Sequence, residues 1–318
     1  MTTRANPPQQ TRADPPEQPE RGGKTNDALN DATNGAACIL LTRGSPLARK
    51  QAEISVQVLA DANPPRRVVQ KIIVTTGDKQ LAWALEKAGG KGLFTSELES
   101  ELLDGSGDIA VHSAKDLPAA LAPGTALAGF LPRANAADVL VRRADVATPR
   151  RIATGSPRRR TQATQFFPAA EFCELRGNVA TRLEKVAAGA ADATFLAAAG
   201  LERLGIAEWP GLIFEEWGPD KMVPAAGQAA IAWQTRAADA PVFAPLCDSA
   251  TGAAVAVERA FLAKLGEGCH SAFAAHCRVG TLLLFHESFG RRVFDFDTAC
   301  ANDAGALTER ITAVLKKL

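Results

Sequence analysis

Residues 38–54 read CILLTRGSPLARKQAEI, and this stretch decides the fold. CILLT at 38–42 is a short apolar run of the kind that forms a fully buried strand. Ser45 then supplies an N-cap and Pro46 the first helical position, for a helix that carries Leu47, Ile54 and Val58 and stops before Pro64-Pro65. A strand feeding straight into a helix is half of a βαβ unit, and the pattern recurs. VVQKIIVTT at 68–76 predicts a second strand, Gly77-Asp78 a turn, and LFTSELESELLDG at 93–105 a helix with Phe94, Leu98 and Leu102 at i, i+4 and i+8. DIAVHS at 108–113 predicts the next strand. Arg151–Thr154, Phe172–Leu175 and Ala193–Leu196 repeat the strand pattern, with helices near Thr161 and Asn178 between them. Such alternation predicts an α/β fold with largely parallel, doubly wound sheets. A helix at 251–265, strands around 279–285 and 291–296 and a closing helix at 305–317 predict a smaller α+β module at the C-terminal end.

The chain has 318 residues, room for two domains and a small third. Hydrophobic residues make up 46% and charged residues 22%, enough to bury a sizeable core. Lys and Arg number 36 against 35 acids, so no global field draws the chain onto nucleic acid or a membrane, and any anion site has to come from local clustering. There is no apolar run of about 18 residues, and the polar first thirty residues lack a secretory core, which predicts a cytoplasmic protein. Residues 1–36 hold five prolines and no Val, Ile or aromatic, which predicts a disordered tail. The six cysteines, Cys38, Cys173, Cys247, Cys269, Cys277 and Cys300, show no CxxC pair and no matching histidine spacing, so neither a zinc site nor a disulfide framework is expected.

In a parallel α/β sheet, ligands bind beyond the carboxyl ends of the strands, where helix N-termini present free N–H groups. Several arginines fall there: Arg43 after CILLT, Arg158, Arg159 and Arg160 after IATGSP, Arg176 in ELRGN, Arg182 soon after it, and Arg203 after AAAGLE. Arginine suits planar, bidentate recognition of carboxylate or phosphate. Read singly, each is a solvated surface charge; read as a set at strand–helix junctions, they line an anion cleft. The Arg158–Arg160 run alone would also suit nucleic acid, but the near-neutral charge and the lack of a stacking platform oppose that. DIAVHSAKDLP puts Lys115 and Asp116 just past a strand end. They form either a plain ion pair or a catalytic carboxylate that steadies a cation and moves a proton. His112 alternates with Val111 and reads as a core or wall histidine. GEGCHSAF places Cys269 in a loop between Gly268 and His270, either an inert thiol or an accessible nucleophile.

Together, TRGSPLARKQAE (42–53), TTGDK (75–79), GGKGLFTSELESELLDGSGDIAVHSAKDLP (89–118), TGSPRRRTQ (154–162), LRGNVATRLEKV (175–186), AAAGLERLG (197–205) and VPAAGQAAIA (223–232) resemble, in order, the motifs of the porphobilinogen deaminase (hydroxymethylbilane synthase) family. The resemblance implies two domains of the type II periplasmic-binding-protein kind and a small third that carries a cofactor cysteine. The boundaries would be a tail at 1–36, a first domain at 37–135 plus 224–242, a second at 136–223 and a third at 246–318, with crossings near 133–136 and 221–224. It implies head-to-tail condensation of four porphobilinogens, with loss of ammonia, on a dipyrromethane primer held by thioether at Cys269. Asp116 would be the catalytic carboxylate, protonating the departing amine and steadying the cationic azafulvene, with Lys115 beside it. Arg43, Arg158, Arg159, Lys91, Ser113 and Ser156 would hold the cofactor, and Arg176, Arg182 and Arg203 the substrate, with Asp78 as a helper. It further implies a monomer with porphobilinogen as its ligand, no nucleic-acid or membrane partner, and a product passed to uroporphyrinogen-III synthase. The sequence departs from the family pattern at Ala153, Gly155 and Pro157, adds Arg160, and lacks the usual proline and glycine after Cys269. A non-catalytic polycarboxylate-binding module is the rival reading, and it leaves Asp116 and Cys269 without a task.

Overall fold

The computed structural model describes Met1 and residues 37–75, 95–265 and 272–318. The expected tail, the Gly77-Asp78 turn, Lys91 and Cys269 lie outside these described residues.

The opening stretch forms β1 (Cys38–Arg43) and α1 (Pro46–Ala60), with Ser45 accepting a hydrogen bond from the Ala48 N–H as its cap. Next come β2 (Val68–Ile73), α2 (Ser96–Leu103), β3 (Ile109–Ser113), a 3₁₀ turn at Ala114–Asp116 and β4 (Thr125–Phe130). The chain then builds β5 (Asp138–Arg143), β6 (Arg151–Ala153), α3 (Pro157–Thr164), β7 (Glu171–Cys173), α4 (Val179–Ala187), β8 (Ala193–Ala197), α5 (Ala198–Arg203) and β9 (Leu212–Trp217). It returns in β10 (Ile231–Arg236) and ends with α6 (Ser249–Leu265), β11 (Ala274–Arg278), β12 (Thr281–His286), β13 (Gly290–Asp295) and α7 (Ala304–Leu315).

Two five-stranded sheets share one plan, β2-β1-β3-β10-β4 and β7-β6-β8-β5-β9. In each, three strands run parallel and the fourth is antiparallel to both its neighbours. This is the type II periplasmic-binding-protein order. The sheets are thus mixed rather than wholly parallel, because β5 and β10 each enter a sheet at the end of a crossing from the other. The two crossings are residues 131–137 and 218–230.

Alternating side chains cover both faces of each sheet. Leu40, Ile109, Val111 and Trp233 pack with Ala52 and Leu59 of α1, while Leu41, Ile73 and Ala110 meet Leu98 and Leu102 of α2 on the opposite face. In the second sheet, Val139, Val141 and Leu196 pack with Leu183 of α4, and Leu140, Ile152, Phe195 and Trp217 with Ala163 of α3. Each such leucine or phenylalanine contributes about 1.5–3 kcal/mol relative to its exposed state. The C-terminal module is an antiparallel sheet, β11-β12-β13, against Val257 and Phe261 of α6 and Ile311 and Val314 of α7. The strand expected around 279–285 is β12, and a further strand, β11, precedes it across a turn at Gly280, whose φ of 70° suits a glycine. Among the described residues no single helix is long and apolar enough to cross a membrane.

A buried acid joins the crossings to the C-terminal module. Glu258 of α6 accepts Arg133 Nη1 at 2.6 Å and Nη2 at 3.1 Å from the first crossing, Gly227 N at 2.7 Å from the second, and Cys277 N at 2.7 Å from β11. His276 Nδ1 stands 3.5 Å away, an electrostatic neighbour rather than a full hydrogen bond. Although burial raises the Glu258 pKa, Arg133 and His276 outweigh it and hold the carboxyl below its ordinary value. Arg133 Nε also donates to Gln228 O at 2.8 Å and Gln228 Nε2 to Ala136 O at 2.7 Å, which ties one crossing to the other.

Candidate active site

The ends of the parallel strands carry the chemistry, as the position of free helix N-termini requires. At the end of β1, Arg43 is half-buried, and Ser45 is spent capping α1. At the end of β3, Ser113 accepts a hydrogen bond from Gln51 Nε2 of α1 at 2.8 Å, so strand and helix present one polar corner. The Ala114–Asp116 turn follows at once, pinned by Ala114 N donating to Ala230 O at 3.0 Å. Gly227 presses against this turn: with φ at 73°, a Cβ there would stand 3.0 Å from Ala114 Cβ and 3.1 Å from its carbonyl carbon, so both backbone and space favour glycine.

Asp116 is exposed, and its carboxylate makes no hydrogen bond or ion pair among the described residues. Beside it, Lys115 is half-buried. Loss of solvent and the neighbouring Arg159 push its pKa down to about 8, against Asp116 and Asp138, which raise it, while Arg158 adds to the lowering. A cavity of about 80 Å³ opens next to Asp116, lined by Arg43, Ser45, Gln51, His112 and Ser113. His112 is buried in its wall, and burial keeps its imidazole neutral down to a pKa of about 4. The histidine is therefore a wall residue, as its alternation with Val111 suggests.

Across the cleft, Ser156 caps α3 by accepting from Arg159 N, and Pro157 takes the first helical position, so the atypical proline is compatible with the helix start. The arginines that follow turn inward. Arg158 Nη1 donates to Asp138 Oδ2 at 2.7 Å and to Val223 O at 2.8 Å; Arg159 Nη2 donates to Asp138 Oδ1 at 2.7 Å and its Nη1 to Phe195 O at 2.8 Å. Both are buried. Their sequence position suggests ligand-facing guanidinia, whereas the structure commits their terminal nitrogens to the protein, and only Arg160 of the run is exposed.

Arg182 of α4 is half-buried and donates from Nε to Gly177 O at 2.9 Å. Desolvation lowers its pKa first, Arg159 lowers it further, and Asp116 opposes both, so the guanidinium shares one field with Arg159 and the open carboxylate. Gly177 has φ at 125°, and a Cβ there would strike Thr181, so the LRGN turn depends on glycine. Arg176 pairs with Glu174 at 2.8 Å, and Arg203 reaches Ala229 O in the second crossing. Arg43, Lys115, Asp116, Arg159 and Arg182 are thus brought together, while Arg176 and Arg203 sit at neighbouring strand ends. Asp138, which holds both arginines, is the residue of this arrangement that the motifs do not reveal; its one sequence signal is an acid at the head of the apolar run DVLV.

A cationic cleft with one uncommitted carboxylate fits an anionic group that also carries N–H donors, such as a dipyrromethane with its acetate and propionate arms. The comparisons agree. The family model described as "Porphobilinogen deaminase, dipyromethane cofactor binding domain" matches residues 39–244. The porphobilinogen deaminase of Nitrobacter winogradskyi is 42% identical over 248 residues, covering 75% of this chain and 78% of that protein. That of Syntrophotalea carbinolica is 44% identical over 246 residues, 75% of this chain and 77% of that one, and that of a Roseiflexus species 41% identical over 263 residues, 80% and 86%. A solved Bordetella pertussis BvgS VFT2 domain covers 72% of this chain and 91% of its own at 16% identity and a TM-score of 0.42, too distant to add to the strand order. With a family model spanning most of the α/β part and relatives above 40% identity over three quarters of its length, the chain belongs to the porphobilinogen deaminase family.

Proposed function

We propose that the protein is a hydroxymethylbilane synthase, a transferase that condenses four porphobilinogens head to tail on a dipyrromethane primer and releases hydroxymethylbilane. The observation that carries this reading is Asp116, an open carboxylate set among Lys115, Arg182 and Arg43 at the mouth of two sheets. Bound by thioether at Cys269, a dipyrromethane primer would supply the nucleophilic pyrrole carbon. Asp116 in its acid form gives its proton to the departing amine as the C–N bond breaks; the carboxylate left behind accepts a hydrogen bond from the pyrrole N–H, balances the cation on the substrate, and takes up the proton that the attacking carbon loses once the new C–C bond has formed. Lys115 and Arg182 face the carboxylate arms near Asp116; Arg43, Ser113 and Lys91 take those on the first sheet's side, and Arg176 and Arg203 those at the second sheet's strand ends. Ser156 and Arg159 form the base on which they rest. Each added ring brings two carboxylates, so a row of cations answers the growing charge while the whole chain stays near neutral.

The same reading assigns residues 37–135 with 224–242 to one lobe, 136–223 to the other and 246–318 to the module that presents Cys269. It makes the protein a cytoplasmic monomer whose product passes to uroporphyrinogen-III synthase. Its test is the intact mass of the purified protein beside Cys269→Ala: a primer adds two linked pyrroles to the first and nothing to the second. If neither protein carries the extra mass, the assignment of Cys269 fails, and a polycarboxylate-binding module takes its place.

Lys115 sets a pH limit. The lysine is cationic below its pKa of about 8 and neutral above it, so kcat/KM for porphobilinogen is expected to fall as pH rises through 8. A rate that stays level to pH 9.5 would remove Lys115 from carboxylate binding.

A further inference from the structure

One buried carboxylate stands behind the cationic wall. Asp138 opens β5 directly after the first crossing and is sealed from solvent. Its Oδ2 accepts from Arg158 Nη1 at 2.7 Å. Its Oδ1 accepts from Arg158 Nη2 at 3.2 Å, from Arg159 Nε at 2.9 Å and from Arg159 Nη2 at 2.7 Å. Phe195 O takes the remaining terminal nitrogen of Arg159, so that guanidinium is fixed along both edges. Burial would raise the Asp138 pKa, but Arg158 and Arg159 hold it well below the ordinary carboxylate range. Asp138 is therefore ionised at neutral pH and works as a counter-charge to the two arginines.

We propose that Asp138 is a positioning residue of the reaction: it clamps Arg159 behind the catalytic turn and supplies the negative charge that lets Arg158, Arg159 and Lys115 gather at the base of the cleft. This rests on the function proposed above. Without Asp138, the cations Arg158, Arg159, Lys115 and Arg182 would have only Asp116 among them, and the repelled groups would swing apart. Lys115 is faced by Arg158 and Arg159 from α3, by Asp138 from β5 and by Asp116 from its own turn. Of these, Asp138 and Asp116 favour its charged form. Loss of the Asp138 charge thus leaves Lys115 easier to deprotonate, in a direction that can be read from a pH profile. A carboxylate serving only as a core ion pair would change thermal stability and leave that profile where it is.

The experiment compares wild type, Asp138→Asn, Asp138→Glu and, as a purely structural control, Glu258→Gln. Each is measured for primer mass, thermal midpoint, and kcat and KM for porphobilinogen between pH 6 and 9.5. Asp138→Asn is expected to keep the primer, to lose roughly 10–100-fold in kcat/KM, chiefly through KM, and to move the alkaline limb below its wild-type position near pH 8. Asp138→Glu keeps the charge but displaces the clamp, so KM rises while the limb stays. Glu258→Gln lowers the midpoint without moving the limb. A folded Asp138→Asn with the wild-type limb and KM overturns the proposal. If that variant fails to fold, Asp138→Glu decides: an unchanged KM overturns the proposal, and so does failure of both variants to fold, since Asp138 is then a stability residue. Wild type without turnover or primer would instead overturn the function itself.

Discussion

Asp116→Asn is expected to fold, carry its primer and lose roughly 10²–10⁴-fold in turnover, the range lost when a positioned acid–base group is removed. The side chain is exposed and uncommitted among the described residues, so replacing it by an isosteric amide opens no void and strands no partner. Its effect on stability should stay within about 0.5 kcal/mol, as for a surface substitution. The chemistry is another matter. An amide neither carries a proton to a departing amine nor offsets a cation, and the surrounding Lys115, Arg182 and Arg159 then meet a positive substrate with nothing between them. Single-turnover release of ammonia, with intact mass and thermal midpoint taken alongside, checks this; turnover within a factor of a few of wild type would exclude Asp116 from the mechanism.

Glu258→Gln is expected to cost about 3–5 kcal/mol, the penalty for removing one partner of a buried ion pair. Its two oxygens take hydrogen bonds from Arg133 twice, from Gly227 N and from Cys277 N. Glutamine offers one oxygen and turns an NH₂ group toward donors, so Arg133 loses its counter-charge and part of its bonding at a largely buried site. Because this acid joins both crossings to β11, the loss is global, and the midpoint should drop by roughly 10 °C. A calorimetric scan within 2 °C of wild type would show that water or His276 replaces the lost contacts.

What was readable in the sequence is what is local. Ser45-Pro46 announces a helix start because cap and first turn lie within four residues, and Ser45 caps as expected; Ser156 and Asn178 cap the helices expected near Thr161 and Asn178 in the same local way. The parallel strands declare themselves as apolar runs. By contrast, β4 and β9 do not, since TALAGF and LIFEEW have only partial burial, and β5 and β10, though buried, acquire their partners through a chain that leaves one sheet and returns later. The site divides the same way. The strand-end placement of Asp116, Lys115 and the arginines follows from position, while their roles rest on the resemblance, and the inward turn of Arg158 and Arg159 needs α3 packed over β5, which brings Asp138 beneath them. Lys91 and Cys269 rest on motif resemblance, outside the described residues.

The contact between Gly227 and Ala114 bears on how an enzyme could lengthen its product without losing aim. The second crossing touches the turn that carries Asp116 with no side chain between them, and Glu258 and Gln228 bind that crossing to the first. Under the proposed function, a rotation of one sheet about the crossings would move Asp116 least and the rims of the cleft most, since displacement grows with distance from the axis.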